Sequence, residues 1–294
     1  MLEKILLLGA GGLLGKDLAG QLKGIYRVLG AKSADLDIRD SRAVNEYFQT
    51  MKPEIVLNAA AMVDVDKCEN DREAAFAVNA SGAENVARAC RETGARLIHF
   101  STDYVFDGAK GTPYIETDPV NPVNIYGQSK LEGERKVLEI LPQACVVRIS
   151  WLFGAARENF VIKTINEGRA HYKAVLEGQT PEPLPVVADQ ISSPTWTVDI
   201  AEQTGRLIAH PLEGIVHAAS EGYASRYDLA DFMFEEISWD VKLRRVNAID
   251  YTFKAPRPLF TALENRRLNE TGINVMRDYR EALREFLTVY SGHE

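Results

Sequence analysis

Two hydrophobic rhythms alternate along the first half of the chain. Short continuous apolar runs at residues 4–8, 26–31, 53–60, 95–101 and 144–150 predict strands buried on both faces. Between them, residues 41–51, 69–93 and 124–141 repeat apolar positions at helical spacing, with charges on the other face, and a further apolar helix runs from the glycines after the first strand to about Leu22. Ser41 is the expected N-cap of its helix. Strands alternating with helices over short connections predict an α/β fold, a doubly wound parallel sheet of Rossmann type.

Beyond Trp151 the pattern loosens. Residues 168–185 are polar and carry Pro181, Pro183 and Pro185, which predicts an irregular, flexible excursion. Residues 186–194 lead into a helix at 198–209, a strand at 214–217 and helices at 226–236 and 279–290. The expected organisation is a dinucleotide-binding domain of residues 1–153 plus about 186–217, and a smaller substrate-binding domain of about 154–185 and 218–294. No internal repeat or low-complexity tract is visible.

The first chemical signal is Gly9, Gly12 and Gly15 between a strand and a helix. Glycines there allow a tight turn, close approach of backbone to a pyrophosphate and tight helix-strand contact, with the phosphates on the helix N-terminus. A Gly-rich turn alone is weak, but the strand before it and the helix after it are the confirming context. The second strand ends on Lys32 and Ser33 where an acidic residue would hold a ribose 2'-hydroxyl, which tilts the cofactor toward NADP; a plain solvated loop lysine would read the same way. Asp37 and Ile38 are placed to contact an adenine. Ala59, Ala60 and Ala61 end the third strand with side chains small enough for a flat cofactor to lie along them.

The second signal is the pair Tyr126 and Lys130, which stand at i and i+4 on one helix face. A free phenol titrates near pH ~10 and a neighbouring cation favours its phenolate, so the pair is expected to act as a tuned acid/base unit. Tyr-x-x-x-Lys on a solvated helix is common by chance. Here the fourth strand delivers Ser101, Thr102 and Asp103 to the same sheet edge, which gives the pair a setting.

With 46% hydrophobic and 26% charged residues among 294, the chain is expected to be an ordinary soluble globular protein. A formal charge of -8 argues against a nucleic-acid or anionic-membrane partner and for a small molecule. Cys68, Cys90 and Cys145 are isolated, and His99, His171, His210, His217 and His293 form no ligand pair, so no metal site is expected. Lys4 and the apolar run after it could pass for a short signal-peptide core, but that run passes straight into charged amphipathic sequence. No apolar run reaches the ~18 residues that span a bilayer. A cytoplasmic setting is expected.

With these residues in place the chain resembles the extended short-chain dehydrogenase/reductase family, and within it the dTDP-4-dehydrorhamnose reductase group. The stretches that carry the resemblance run almost end to end: GAGGLLG, LNAAAMVDVDKCE, STDYVFDG, YIETDPVNPVNIYGQSKLEGE, RISWLFG, VVADQISSPTWTVDIA, GIVHAAS and APRPLFTALENRRL. The resemblance implies reduction of the C4 ketone of dTDP-4-dehydro-6-deoxy-L-mannose to dTDP-L-rhamnose, with NADPH or NADH. It makes Tyr126 the proton donor, Lys130 the holder of the nicotinamide ribose and Thr102 a hydrogen-bonding partner of the reacting oxygen. Gly9, Gly12 and Gly15 would hold the pyrophosphate, with Leu13, Leu14, Ala59 to Ala61, Asn79 and Ser101 completing the cofactor contacts. The sugar-nucleotide contacts would fall on Val63, Asp103, Tyr104, Trp151 and Arg257. A homodimer is left open. Two departures stand out: residues 168–185 look longer than in the family, and Ile191-Ser192-Ser193 replaces a glycine-containing version. The nearest rival is another extended-family enzyme acting on a nucleotide sugar, an epimerase or a dehydratase; a dehydratase would need a second carboxylate after Asp103, where Tyr104 stands. A non-catalytic NADP-binding subunit similar to the regulatory subunit of methionine adenosyltransferase is the rival from another class, and the intact Thr102, Tyr126 and Lys130 argue against it.

Overall fold

The computed structural model describes residues 2–250 and 253–291, so His293 lies outside the described residues. Its centre is a six-stranded parallel sheet in the order β10-β5-β4-β3-β1-β2, built from β1 (Lys4–Leu8), β2 (Arg27–Ala31), β3 (Ile55–Asn58), β4 (Arg96–Thr102), β5 (Cys145–Ile149) and β10 (Gly214–His217). The strands on either side of β1 are β2 and β3, so the winding reverses there, and a ligand crevice opens at such a reversal. In register, Leu8 of β1 lies between Ala31 and Asn58, which brings three strand ends to one edge.

β1 shows why the sheet is buried on both faces. Ile5 and Leu7 join a core with α1 (Leu13–Leu22) and α8 (Thr197–Ala209), while Leu6 and Leu8 join a second core with α2 (Ser41–Met51), α5 (Ala83–Thr93) and α6 (Ile125–Ile140). Side chains alternate across a strand, so a run with no polar position needs a helical layer on each side. Phe48 of α2 is wholly enclosed, and cutting such a ring back to alanine typically costs about 3–5 kcal/mol.

Three local expectations are corrected. Asp40, not Ser41, caps α2: its carboxylate accepts from the Arg42 and Ala43 amides. The single helix expected over 69–93 is broken into α3 (Val65–Asn70), α4 (Arg72–Phe76), a π-helical turn at Ala77–Gly82 and α5. Asp71 causes the break, since its carboxylate accepts from the Ala74 amide and restarts the helix. The largest correction concerns residues 168–185, whose first half is the end of a regular helix, α7 (Phe160–Leu176), capped by Asn159. Gly168 sits within α7 where a Cβ would fall into the Phe234 ring, so the glycine serves helix packing, and all three prolines come after the helix has ended.

The second half of the chain adds small paired elements. β6 (Leu152–Phe153) pairs with β9 (Thr195–Trp196), β8 (Ile191–Ser192) with β11 (Ala224–Ser225), and β7 (Leu184–Val187) with β12 (Leu243–Val246). α9 (Arg226–Glu236), α10 (Arg266–Thr271) and α11 (Tyr279–Ser291) complete the chain. Phe153, Trp196, Met233, Leu283 and Phe286 form a separate apolar core here. Among the described residues, no helix is long and apolar enough to cross a membrane, and no group of three or more His, Cys, Asp and Glu could hold a metal ion.

Candidate active site

The chain turns sharply after β1. Gly9 has φ +79°, and a Cβ there would lie 2.7 Å from the Ala59 carbonyl, so the end of β1 can lie against the end of β3 only with glycine. Gly15 is held the same way, since a Cβ would collide with the Gly9 carbonyl. With those contacts closed, a cleft of about 740 Å³ runs along the strand ends. Gly9, Gly12, Lys32, Asp37, Ile38, Ala59, Ala60 and Ala61 all line it. Leu14 and Gly15 are buried beneath it instead, and Gly12 starts α1 without a side-chain cap. Lys32 folds back so that its chain covers Gly11, and Ile38 is fixed by the Asn85 side chain, which donates to its carbonyl at 2.9 Å.

The cleft also holds cations that the sequence reading missed: Lys16, Arg39 and Arg157. Arg39 is paired with Asp37 at 2.6 Å, and this exposed pair holds the Asp37 carboxyl below its usual range. Arg157 stands far along the chain in an irregular stretch, and nothing in its local sequence marks it.

Thr102, Tyr126 and Lys130 meet at the C-terminal end of β4. Asn124 caps α6 by accepting from the Gly127 amide at 2.8 Å, and this sets the first turn that carries Tyr126. The π-helical turn brings Asn79 beneath it. Asn79 is buried and its amide donates to Ser129 Oγ at 3.0 Å and to the Met62 carbonyl at 3.0 Å; Ser129 Oγ in turn donates to the Tyr126 carbonyl at 2.8 Å. Asn79 is thus a brace behind the cleft rather than part of its wall.

The expected tuning of Tyr126 by Lys130 is not what the geometry gives. Burial raises the Tyr126 phenol above its ordinary value, and the main influence pulling it down is its hydrogen bond with Thr102. Lys130 shares the helix face, but its Nζ donates to the Phe100 carbonyl at 2.6 Å. Burial brings the Lys130 ammonium down to about 8, opposed by the charge of Glu134. Desolvation by burial is the largest influence on each of the two groups.

Asp103 sits in an enclosed hydroxyl cage. Its Oδ2 accepts from Thr261 at 2.6 Å, Ser192 at 3.0 Å and Ser150 at 3.1 Å, and its Oδ1 accepts from Thr102 at 3.1 Å. Burial raises its pKa, and these donors hold it back. Ser192, one of the departures noted in the sequence, is therefore a partner of this carboxylate. The neighbouring Tyr104 sets its ring edge-on to Tyr126, with centroids 5.8 Å apart. Arg257 donates to Asp66 at 2.9 Å, and Trp151, at φ +36°, lies under the Arg226 guanidinium at 4.3 Å. Both Arg257 and Arg226 act electrostatically on the Tyr104 hydroxyl. Arg226 was not singled out in the sequence. Val63 is mostly exposed at 65%.

A hydroxyl donor, a phenol and an ammonium beside a glycine cradle at the reversal of a parallel sheet place the chain among the NAD(P)H-dependent oxidoreductases of extended short-chain dehydrogenase/reductase type. It belongs to the family described as RmlD substrate binding domain, whose model matches residues 3–291. The chain is 39% identical over 297 residues to a dTDP-4-dehydrorhamnose reductase of Mycolicibacterium smegmatis, covering 99% of this chain and 87% of that one. It is 36% identical over 297 residues to a dTDP-4-keto-6-deoxy-D-glucose reductase of Streptomyces niveus, covering both chains fully. A dTDP-4-dehydrorhamnose reductase of Bacillus anthracis, solved in complex with NADP, superposes with a TM-score of 0.92 at 34% identity, covering 98% of this chain and 99% of that one.

Proposed function

We propose that this protein reduces the C4 ketone of a dTDP-4-dehydro-6-deoxy-hexose, in the first place dTDP-4-dehydro-6-deoxy-L-mannose to dTDP-L-rhamnose, using NADPH or NADH. The observation that carries the reading is the meeting of Thr102, Tyr126 and Lys130 beside the glycine cradle. The cradle suits a dinucleotide because Gly9 and Gly15 let the strand ends close into a cleft of about 740 Å³ with the glycine turn and Ala59 to Ala61 along it, and Lys32 at the end of β2 suits a 2'-phosphate. When bound, the reduced nicotinamide supplies the hydride.

The chain's own groups do the rest. Reduction of a ketone develops negative charge on oxygen, which a positioned donor stabilises and then neutralises. Burial keeps Tyr126 protonated at neutral pH, which is the form a proton donor needs, and the Thr102 hydroxyl stands ready to steady the phenolate left behind. Lys130 supplies positive charge within the same buried pocket. Arg226 and Arg257, on the Tyr104 side, are suited to a diphosphate. Trp151, Tyr104 and Val63 then frame the sugar and base, and the elements after Trp151 form the substrate-binding part. A cytoplasmic setting and a homodimer belong to the same reading.

The test is incubation with dTDP-4-dehydro-6-deoxy-L-mannose and each reduced cofactor, following loss of nicotinamide absorbance. Binding of NADPH without its oxidation would leave a non-catalytic nucleotide-binding protein. The likeness to the Streptomyces niveus enzyme favours one second reading, in which the C4 ketone of the D-gluco sugar is the substrate. Rates on the two sugars, measured side by side, separate these readings.

A further inference from the structure

Behind the site lies a charge pair that the chemistry above does not use. Glu134 is 2% exposed and Arg148 4% exposed. The Arg148 guanidinium grips the carboxylate on both sides, with Nε donating to Oε1 at 2.9 Å and Nη2 to Oε2 at 2.7 Å, and Ser101 Oγ also donates to Oε1 at 2.5 Å. Ser101 and Arg148 are register partners on β4 and β5, so sheet pairing fixes both donors on one carboxylate. A buried ion pair is weak evidence of stabilisation, since apolar replacements of similar volume are often as stable. Some other property of this pair has to account for its burial.

Glu134 follows Lys130 by four residues, as Lys130 follows Tyr126, so the three side chains stack along one face of α6. We propose that Glu134 is the positioning residue that keeps Lys130 charged in the site, and that Ser101 and Arg148 serve to hold Glu134. The proposal rests on the reading of Tyr126 and Lys130 as the working pair. The Phe100 carbonyl fixes the direction of the Lys130 ammonium but supplies no countercharge. Burial works against the ammonium, and Glu134, one turn further along α6, is the group whose charge opposes that loss.

The other titratable neighbours do not substitute for it. On α6 itself, Tyr126 is neutral at pH 7. His99 of β4 is held well below its ordinary range, in part by Lys130 itself, and contributes no charge. Asp103 and Tyr104, in the turn after β4, act on Tyr126, and the Asp103 carboxylate is already engaged by four hydroxyls. Cys68 of α3 is pushed up to about 11 and stays a thiol. Arg72 of α4 donates to Gln128, and Glu84 of α5 pairs with Arg88 on its own helix and with Lys136 of α6.

The test is the pH profile of kcat/KM for ketone reduction in wild type, E134Q, E134D, the double variant E134Q/R148M and K130M, with melting temperature and NADPH affinity measured alongside. E134Q strands the Arg148 charge, so the double variant, which removes both charges at similar volume, is decisive. It should fold with near wild-type Tm, while the alkaline limb of its profile moves about one pH unit lower and activity recovers toward acid pH. E134D keeps the charge and should keep the limb in place with a lower rate. A double variant whose rate falls equally at every pH with the limb unmoved would overturn the proposal. So would one that no longer folds, because the pair would then be structural. If K130M retained wild-type kcat, the Tyr-Lys reading itself would fail; an inactive K130M beside an unmoved limb in the double variant would sink this proposal alone.

Discussion

At the scale of single residues, Tyr126 is the group whose removal says most. Tyr126→Phe deletes one hydroxyl and keeps the ring that meets Tyr104 edge-on, so fold and cofactor affinity should persist while kcat falls by at least ~10²-fold. Thr102→Val should also lower kcat, and the double variant should lose less than the product of the two, because both groups serve one proton transfer. Stopped-flow measurement of the reduction step checks both. Lys32 makes a separate prediction. Its chain lies over Gly11, and Lys32→Ala should cut the kcat/KM ratio of NADPH to NADH by about tenfold, ~1.4 kcal/mol. An unchanged ratio would mean that Lys32 only covers the loop. The glycines, Tyr126 and Lys130 are legible in the sequence because their spacing carries their geometry. Arg226 and the cage around Asp103 are not, since each depends on partners brought from distant parts of the chain.

Among the elements, the main strands could be read directly, because burial on both faces leaves no polar position to confuse the pattern. The two-residue strands β6, β8, β9 and β11 are too short to show any period, so the second half was legible mainly through its helices. α7 was missed along its whole length; over its second half a glycine and three prolines share one stretch, although the prolines all lie beyond the helix. This confines the irregular part to residues 177–183, between α7 and β7. Limited proteolysis should therefore cut within 177–183 and spare 160–176. Mass spectrometry of the fragments checks this, and addition of dTDP should slow the cut if the segment packs over the nucleotide. Early cuts inside α7 would count against the helix.

For the molecule as a whole, two histidines buried in the main sheet set a response to acid. His217 of β10 is brought down to about 3 and His99 of β4 lies well below its ordinary range, both mainly by burial. Each is neutral when folded, whereas the unfolded chain binds a proton near pH ~6.5. Between those values the unfolded state holds more protons, so stability falls as pH falls, by about 1.4 kcal/mol per pH unit for each group. Asp103, raised by burial, works in the opposite sense. Urea midpoints measured from pH 7 to pH 4 should decline, and His217→Gln should flatten the decline. A midpoint independent of pH would contradict the buried neutral state.

The cage around Asp103 also bears on how the chain can be divided. Its four hydroxyls come from the end of β4, the residue after β5, β8 and the segment before α10, which together span positions 102 to 261. A carboxylate in that position cannot leave water until all four segments have arrived, so intermediates that have only the first half in place keep it hydrated and the future site open. The two halves are thereby bound into one cooperative unit. A gene fragment that stops after the parallel sheet would keep the glycine cradle and lose the closure of that cage, and grafting this cofactor-binding half onto another substrate-binding part would succeed only where the incoming segment brings its own hydroxyls to Asp103.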